Sequence, residues 1–223
     1  MKKLTQIALT ALLVITTISH AQTQLKKGSV TYTMSMPGTT EEMAAMGETT
    51  ITIHFDETTQ ATDMSMMGGM MLMKTIIPIT DKKESKMTME VMGMKYEITD
   101  IGEDALKNAN GLNNLDDAKE VIYDKKDTKE IAGFKCYKAT ITMNDGSKNI
   151  FYLTDAIAPQ ESAPNSKVKL TGYPLEMNMQ TSQGNIIMIA NKFSKDIPVD
   201  AFKIGEGYTK ITKEELKKQM GGM

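Results

Sequence analysis

The residues with the clearest chemical character are the methionines, of which the 223-residue sequence has 21. Ten of them lie between Met64 and Met94, in the segments MSMMGGMMLM and MTMEVMGM. A methionine side chain is unbranched and flexible, so it packs against varied apolar surfaces, and its thioether is also a soft ligand for a soft metal ion. The cluster therefore predicts either an adaptable apolar surface or a copper site.

The candidate Cu(I) ligands are four methionines that flank two glycines, which allow the backbone to fold several sulfurs toward one ion. They are Met66, Met67, Met70 and Met71. Alternate methionines of a strand also share one face, as core packing requires, so this spacing does not single out a metal site. Copper is therefore the alternative interpretation, and the sequence predicts no other cofactor.

The remaining reactive side chains form no catalytic set. Cys136 is the single cysteine, which excludes an intramolecular disulfide, and we interpret it as a small, partly buried hydrophobe. His54 is the single histidine after residue 21, and strand alternation turns it away from the predicted core, so we expect it to be solvated. Carboxylates such as Asp124 and Asp127 lie among lysines, which is typical of a solvated surface. The sequence therefore predicts a protein without enzymatic activity.

The first 21 residues have the pattern of an export signal. Two lysines precede an apolar run of 12 residues (7–18), and small residues lead to Ala21. This run is too short to cross a membrane, and Gln22 in place of a cysteine argues against a lipid anchor. We expect cleavage after Ala21, which leaves residues 22–223 as a single β-rich domain in the periplasm or outside the cell, with no transmembrane anchor.

The charged residues narrow the class of partner. All 26 basic residues are lysines, so the bidentate guanidinium that recognises phosphate is missing. The chain has no basic surplus, no Trp and five Phe. These features argue against binding to nucleic acid.

A hairpin in the second methionine segment is the best-defined element. If Met92 and Gly93 form a two-residue turn, every apolar residue of the hairpin falls on one face, and a slip of one residue would destroy this sorting. The opposed pairs are Val91 with Met94, Met89 with Tyr96, and Met87 with Ile98.

Period-two patterns and turn residues predict further strands along most of the chain. A capping box of Thr212 and Glu215 predicts a final helix that ends near Met220. The fold class predicted is mainly β, a curved antiparallel sheet or half-barrel with one or two helices. The predicted strands are 30–36, 51–55, 120–123, 134–143, 150–153, 175–179 and 186–190, with helical turns at 41–46 and 198–202 and a polar connector at 103–119.

Four segments of the chain resemble a known family. They are IAGFKCYKATITMNDG (131–146), FYLTDAI (151–157), GYPLEMNM (172–179) and AFKIGEGYTKITKEELKKQMGG (201–222). They resemble exported proteins of Bacteroidetes-type bacteria known as domain of unknown function 4412, which are similar to GLPGLI-type secreted proteins. The family has no known catalytic residues. The resemblance implies a fold similar to the lipoprotein carriers LolA and LolB, a curved antiparallel sheet over helices with an apolar concavity.

With such a fold, one face of the hairpin is predicted to line part of a cavity that binds an apolar small molecule or a lipid. The cavity residues predicted are Met87, Met89, Val91, Met94, Tyr96 and Ile98. The alternative is that the same side chains fill a closed core, in a structural or interaction protein whose partner is another envelope protein. Periodicity alone does not distinguish these two interpretations.

Overall fold

The computed structural model describes residues 24–37, 48–102, 115, 117–159, 168–181 and 184–220. These residues form twelve β-strands and one α-helix, and they include no helix that is long and apolar enough to cross a membrane. The predictions for residues 1–21, 41–46 and 103–114 lie outside the described residues. In chain order the elements are β1 (Gly28–Ser35), β2 (Thr49–Phe55), β3 (Thr59–Met66), β4 (Met71–Pro78), β5 (Lys86–Val91), β6 (Met94–Ile98), β7 (Ala118–Ile131), β8 (Phe134–Met143), β9 (Lys148–Thr154), β10 (Tyr173–Thr181), β11 (Gly184–Ser194), β12 (Thr209–Ile211) and α1 (Lys213–Met220).

All twelve strands belong to one open sheet with the order β12-β6-β5-β4-β3-β2-β1-β11-β10-β9-β8-β7. Neighbours run antiparallel, except that β12 runs parallel to β6. Most neighbours in the sheet are also consecutive in the chain, and the pairing of β1 with β11 joins the two halves. The predicted fold class, mainly β with a curved antiparallel sheet, is confirmed.

The β5–β6 hairpin has the predicted register, with Val91 opposite Met94 at the turn. Both turn residues have positive φ angles, 51° at Met92 and 81° at Gly93. This is the conformation of a two-residue turn whose twist matches that of the flanking strands, and glycine adopts it without steric cost. The alternation of apolar and polar residues therefore predicted this part of the sheet correctly.

Strand β7 is much longer than the predicted strand 120–123, since it covers 14 residues. Its second half contains the charged segment that was expected to be a polar surface stretch. A register shift between Asp124 and Thr128 interrupts the pairing with β8, and the Asp124 carboxylate accepts hydrogen bonds from the amides of Lys126 and Asp127. β7 is an edge strand, where charged residues and bulges oppose pairing with a second sheet, so its side chains do not alternate in polarity.

Two ring contacts show how strongly the sheet curls. Phe55 in β2 stacks on Tyr173 in β10 with ring centroids 5.4 Å apart, although the two strands are three positions apart in the sheet. Phe134 in β8 and Phe193 in β11 are also three positions apart, and their centroids lie 5.1 Å apart. Three strand spacings in a flat sheet measure about 14 Å. We call the side toward which the sheet curls the inner face. It carries Val30 and the core.

The inner face carries two separate apolar clusters. The main cluster extends over β1, β2 and β8 to β11, and burying one of its large side chains contributes about 1.5–3 kcal/mol. Tyr32, Phe151 and Met177 lie completely inside it. The second cluster lies near β12, where Leu216 of α1 packs with Met87, Tyr96, Ile98 and Ile211.

The C-terminal segment crosses the other side of the sheet, the outer face, before it forms β12 and α1. We call residues 195–208 the outer strap. It includes the predicted turn, since the amide of Ala201 donates to the carbonyl of Pro198, and Lys74 Nζ on β4 donates to the carbonyl of Asp200 over 3.2 Å. The predicted capping box is confirmed, because the amide of Thr212 donates to Glu215 Oε2 over 2.8 Å at the start of α1.

Candidate functional site

Six methionines of β3 to β6 share the inner face and form what we call the methionine face. Strand register places them in two rows, and directly paired residues in such rows have Cα atoms about 4.5–5.5 Å apart. All are half-buried except one, which is 37% exposed, whereas Val30 and Tyr32 on the same face of β1 are 0% exposed. The methionine face therefore presents flexible apolar surface that the fold covers only in part. Its members are Met64, Met73 and Met89 in one row and Met66, Met71 and Met94 in the next.

The six predicted cavity residues lie on one face but differ in burial. Met87, Tyr96 and Ile98 are at most 8% exposed and pack beneath α1. Met89 and Val91 are half-buried at the border of that cluster. The sixth, Met94, is the 37% exposed member of the methionine face, and its Sδ accepts a hydrogen bond of 3.1 Å from the hydroxyl of Tyr96.

The four predicted copper ligands lie at the β3–β4 turn. Met66 and Met71 are direct cross-strand neighbours on the inner face, while Met67 has a φ of 55° in the turn and Met70 is 60% exposed. The β5–β6 turn lies beside this one, because the amide of Met92 donates to the carbonyl of Met70 over 3.4 Å, and no local pattern in the sequence indicates this contact.

We call residues 66–71 and 91–94 the hairpin tips. They bring six methionines to one edge of the methionine face: Met66, Met67, Met70, Met71, Met92 and Met94. Thioethers are suitable ligands for Cu(I). No group of three or more His, Cys, Asp or Glu residues within the described part of the chain is arranged to hold a metal ion.

A groove of about 290 Å³ opens at the opposite end of β2, β3 and β4. Phe55, Gln60 and Ile77 form its inner-face wall, and they are direct neighbours in one row of the sheet. Its rim carries the exposed ion pair of Lys26 Nζ with Glu57 Oε1, at 2.6 Å. The groove and the hairpin tips thus lie at the two ends of the same strands, with the inner positions of β3 and β4 between them.

The outer face carries a second groove, of about 540 Å³, beneath the outer strap. Its lining includes three lysines, three carboxylates and several hydroxyl groups beside apolar side chains such as Leu72. Lys74 Nζ lies 3.6 Å from Asp63 Oδ1, and the hydroxyl of Tyr208 donates to Glu90. Burial raises the pKa of Tyr208, and its contact with the Glu90 carboxylate raises it further. The charges in this groove are therefore largely paired with each other.

The expectation that His54 is solvated is wrong, because this residue is 6% exposed. It does point to the outer face, but there its Nδ1 lies 2.7 Å from Ser29 Oγ and its Nε2 lies 3.2 Å from Asp63 Oδ2. The strap closes over this network, since Ser29 Oγ also donates to the carbonyl of Asp196 over 3.4 Å. Alternation predicted the face correctly, but the covering segment is 140 residues further along the chain and left no local signal.

A hydrolytic triad has the same composition as the set Ser29, His54 and Asp63, but in this set the serine is not accessible to a substrate. A nucleophilic serine must face the substrate, with histidine and carboxylate behind it. Here Ser29 is 7% exposed at the enclosed end, and Asp63 is the member that lines the outer groove. The three side chains therefore tie β1, β2 and β3 together beneath the strap.

Cys136 is 0% exposed on β8, as its interpretation as a buried hydrophobe requires. Burial raises the pKa of its thiol to about 11, so the reactive thiolate is scarce at neutral pH.

No family model matches the chain and no curated protein matches it, so the resemblance to domain of unknown function 4412 stays a prediction. Among solved structures, the chain is similar to the lipoprotein LppX of Mycobacterium tuberculosis, with a TM-score of 0.42 and 11% identity over 77% of this chain and 89% of LppX. LprF from Mycobacterium bovis has a TM-score of 0.36 and 11% identity, over 78% of this chain and 88% of LprF. A chain of the Pseudomonas aeruginosa MucA/MucB complex has a TM-score of 0.36 and 11% identity, over 80% of this chain and 56% of its own length. Similarities of this size do not assign the chain to a family.

Proposed function

We propose that this protein is exported and binds or carries an apolar, lipid-like ligand on the inner face of its sheet, without catalysing a reaction. The observation that supports this function is the half-buried methionine face. At Tyr32 on β1 and Met177 on β10 the same side of the sheet is closed, with both residues at 0% exposure, whereas Met73 and Met89 keep part of their surface accessible.

The energetic argument is the burial of apolar surface. Covering one CH₂ group removes apolar area from water and contributes about 0.8 kcal/mol. When an apolar chain binds, both the chain and the protein surface beneath it are removed from water, so both contribute. Methionine side chains have three rotatable bonds, so they repack around chains of different shape at little cost. A face built from them fits a class of apolar ligands better than one rigid molecule.

The absence of catalysis is proposed from the reactive groups that the structure describes. The His54 imidazole lies beneath the strap, and the Cys136 thiol is buried with a raised pKa. Catalysis by either group requires a substrate within hydrogen-bonding reach, which their burial opposes.

Binding of Cu(I) is the second candidate function, and the hairpin tips favour it. Met66 and Met71 are paired across the β3–β4 turn, and the hydrogen bond from Met92 to Met70 holds the second turn beside them. Copper requires sulfurs from this edge alone, whereas an apolar chain requires Met73 and Met89 further along the inner face. The two functions therefore depend on different residues.

Native mass spectrometry of the protein, expressed with its own leader and purified without detergent, tests both functions. We expect a lipid-sized adduct on the wild type. Met73→Lys places a charge on the inner face and is expected to abolish the adduct, because burying a charge against an apolar chain is costly. Leu72→Lys is the matched control, since its neighbouring position in β4 points to the outer face and is 40% exposed.

Loss of the adduct from the Met73 variant alone supports the apolar ligand. A copper-sized adduct that disappears when Met66, Met70 and Met71 are changed to Leu would instead support Cu(I) binding as the function. A bare polypeptide that also fails to take up added dodecanol would contradict the proposal and favour a closed structural protein with an envelope partner.

A further inference from the structure

A buried threonine interrupts the inner face between the two apolar clusters. Thr62 lies in the middle of β3, where its cross-strand neighbours are Ile53 on β2 and Thr75 on β4. It is 5% exposed, and its Oγ1 has no hydrogen-bond partner among the described residues. Thr75 is 3% exposed. A hydroxyl group thus faces the interior side of the sheet, and the described part of the chain does not supply the partner that buried polar groups normally have.

The hydroxyl is not required to fill this position. Valine has nearly the same shape as threonine and needs no hydrogen bond, so it would be the more stable residue in a purely structural core. A buried hydroxyl without a partner among the described residues is an exception that needs an explanation, and a role outside packing is the explanation we develop here. In a face that binds a ligand, that role is to form a hydrogen bond with it.

Thr62 lies between the groove and the methionine face. Inner-face residues of one strand follow each other at intervals of about 6.6 Å, so Gln60 in the groove, Thr62 and Met64 are successive positions along β3. The distance from Gln60 to Met66 is six residues, or about 20 Å. An extended chain that enters at the groove and reaches the hairpin tips passes directly over Thr62. Met64 is half-buried and flexible, and the ligand requires its side chain to move far enough for the hydroxyl to be reached.

The charge of the surrounding face restricts the polar group of such a ligand. A charged head group here would be buried without a counter-ion, which is strongly unfavourable. None of the inner positions of β3 and β4 is charged: Gln60, Thr62, Met64, Met66, Met71, Met73, Thr75 and Ile77.

We infer that the inner face takes an amphiphile with an uncharged oxygen, a hydroxyl or an ester, which hydrogen-bonds to Thr62 Oγ1 while the apolar chain covers the methionine face. This inference rests on the proposed function, because it names the chemical class of the ligand. Thr62 is in this account a specificity-determining residue. It separates lipids with a neutral oxygen from plain hydrocarbons.

The test compares dodecanol with dodecane, which differ by one hydroxyl group, as competitors of the fluorescent probe N-phenylnaphthylamine. We expect the wild type to bind dodecanol between about threefold and tenfold more tightly, the range that corresponds to one hydrogen bond. Thr62→Val is expected to remove this preference, while Thr62→Ser keeps the hydroxyl and is expected to keep it. Thr52→Val on the outer face is a control for the loss of a hydroxyl elsewhere in the sheet.

Equal binding of the two ligands by the wild type, or a preference that survives in Thr62→Val, would overturn the inference and leave the proposed function standing. Failure of the wild type to bind either ligand would overturn both. Circular dichroism and the melting temperature show whether each variant is folded, and Thr62→Val is expected to melt at the same temperature as the wild type or higher.

Discussion

The hydroxyl of Tyr32 offers a direct test of how the curled sheet is held together. It donates a hydrogen bond of 2.8 Å to the carbonyl of Pro174, and both residues are fully buried, with β11 between their strands. Tyr32→Phe keeps the ring but leaves this carbonyl without its donor in a place that water does not reach. An unpartnered buried carbonyl costs about 1–3 kcal/mol, so we expect the free energy of unfolding to fall by that amount.

Equilibrium unfolding in urea, followed by circular dichroism, measures this change. In a domain of this size each kcal/mol corresponds to a melting temperature lower by about 2–4 °C. Tyr123→Phe is the matched control, because the Tyr123 hydroxyl donates to the carbonyl of Lys169 at an exposed site. Its loss is expected to change the stability by less than about 0.5 kcal/mol. Equal losses in the two variants, or an unchanged Tyr32→Phe protein, would refute the reasoning.

Three further predictions concern the core. Gly28→Ala would place a Cβ atom 2.8 Å from the Phe193 ring and from the carbonyl of Ser194. We expect the free energy of unfolding to fall by about 1–3 kcal/mol, which differential scanning fluorimetry detects as a lower melting temperature. An unchanged melting temperature would contradict this close packing of β1 against β11. Leu216→Ala removes the side chain that joins α1 to the second cluster. We expect the free energy of unfolding to fall by about 2–5 kcal/mol and the backbone amides of β5 and β6 to exchange hydrogen faster. Hydrogen exchange that accelerates equally throughout the sheet would contradict the view that the second cluster stabilises β5 and β6 separately from the main cluster. Burial raises the pKa of both Tyr32 and Tyr173 above the ordinary value, so the unfolded state loses these protons first as the pH rises. Their contribution to stability is fully present below about pH 10 and is lost as the pH rises above it. In urea unfolding above pH 10, we expect the free energy of unfolding to fall less in Tyr173→Phe than in the wild type.

The β5–β6 hairpin and the capping box of α1 were predictable because local patterns determine them. The register of Met89 with Tyr96 follows from apolar alternation and a glycine in the turn, and both signals lie within a dozen residues. Thr212 and Glu215 likewise form their cap within one turn of helix. The methionine face extends the same alternation to β3 and β4, two strands that were not among those predicted from the sequence.

Contacts between distant parts of the chain were not predictable. The burial of His54 depends on the strap, and the pairing of β1 with β11 joins segments about 150 residues apart. The length of β7 was missed for a different reason, since an edge strand satisfies its backbone on one side and its charged side chains carry no alternation. That the described residues leave the Thr62 hydroxyl without a hydrogen-bond partner also required the structure, because threonine is a common strand residue and its surroundings depend on neighbours from β2 and β4.

The central claim is that an apolar chain lies on the methionine face, and methyl-labelled methionine NMR tests it most directly. We expect dodecanol to shift the methyl signals of Met64, Met73 and Met89 and to give intermolecular NOEs with them. Met177, which is 0% exposed in the main cluster, is expected to remain unchanged. Shifts confined to the exposed tip residues Met70 and Met92, or no shifts, would contradict the account.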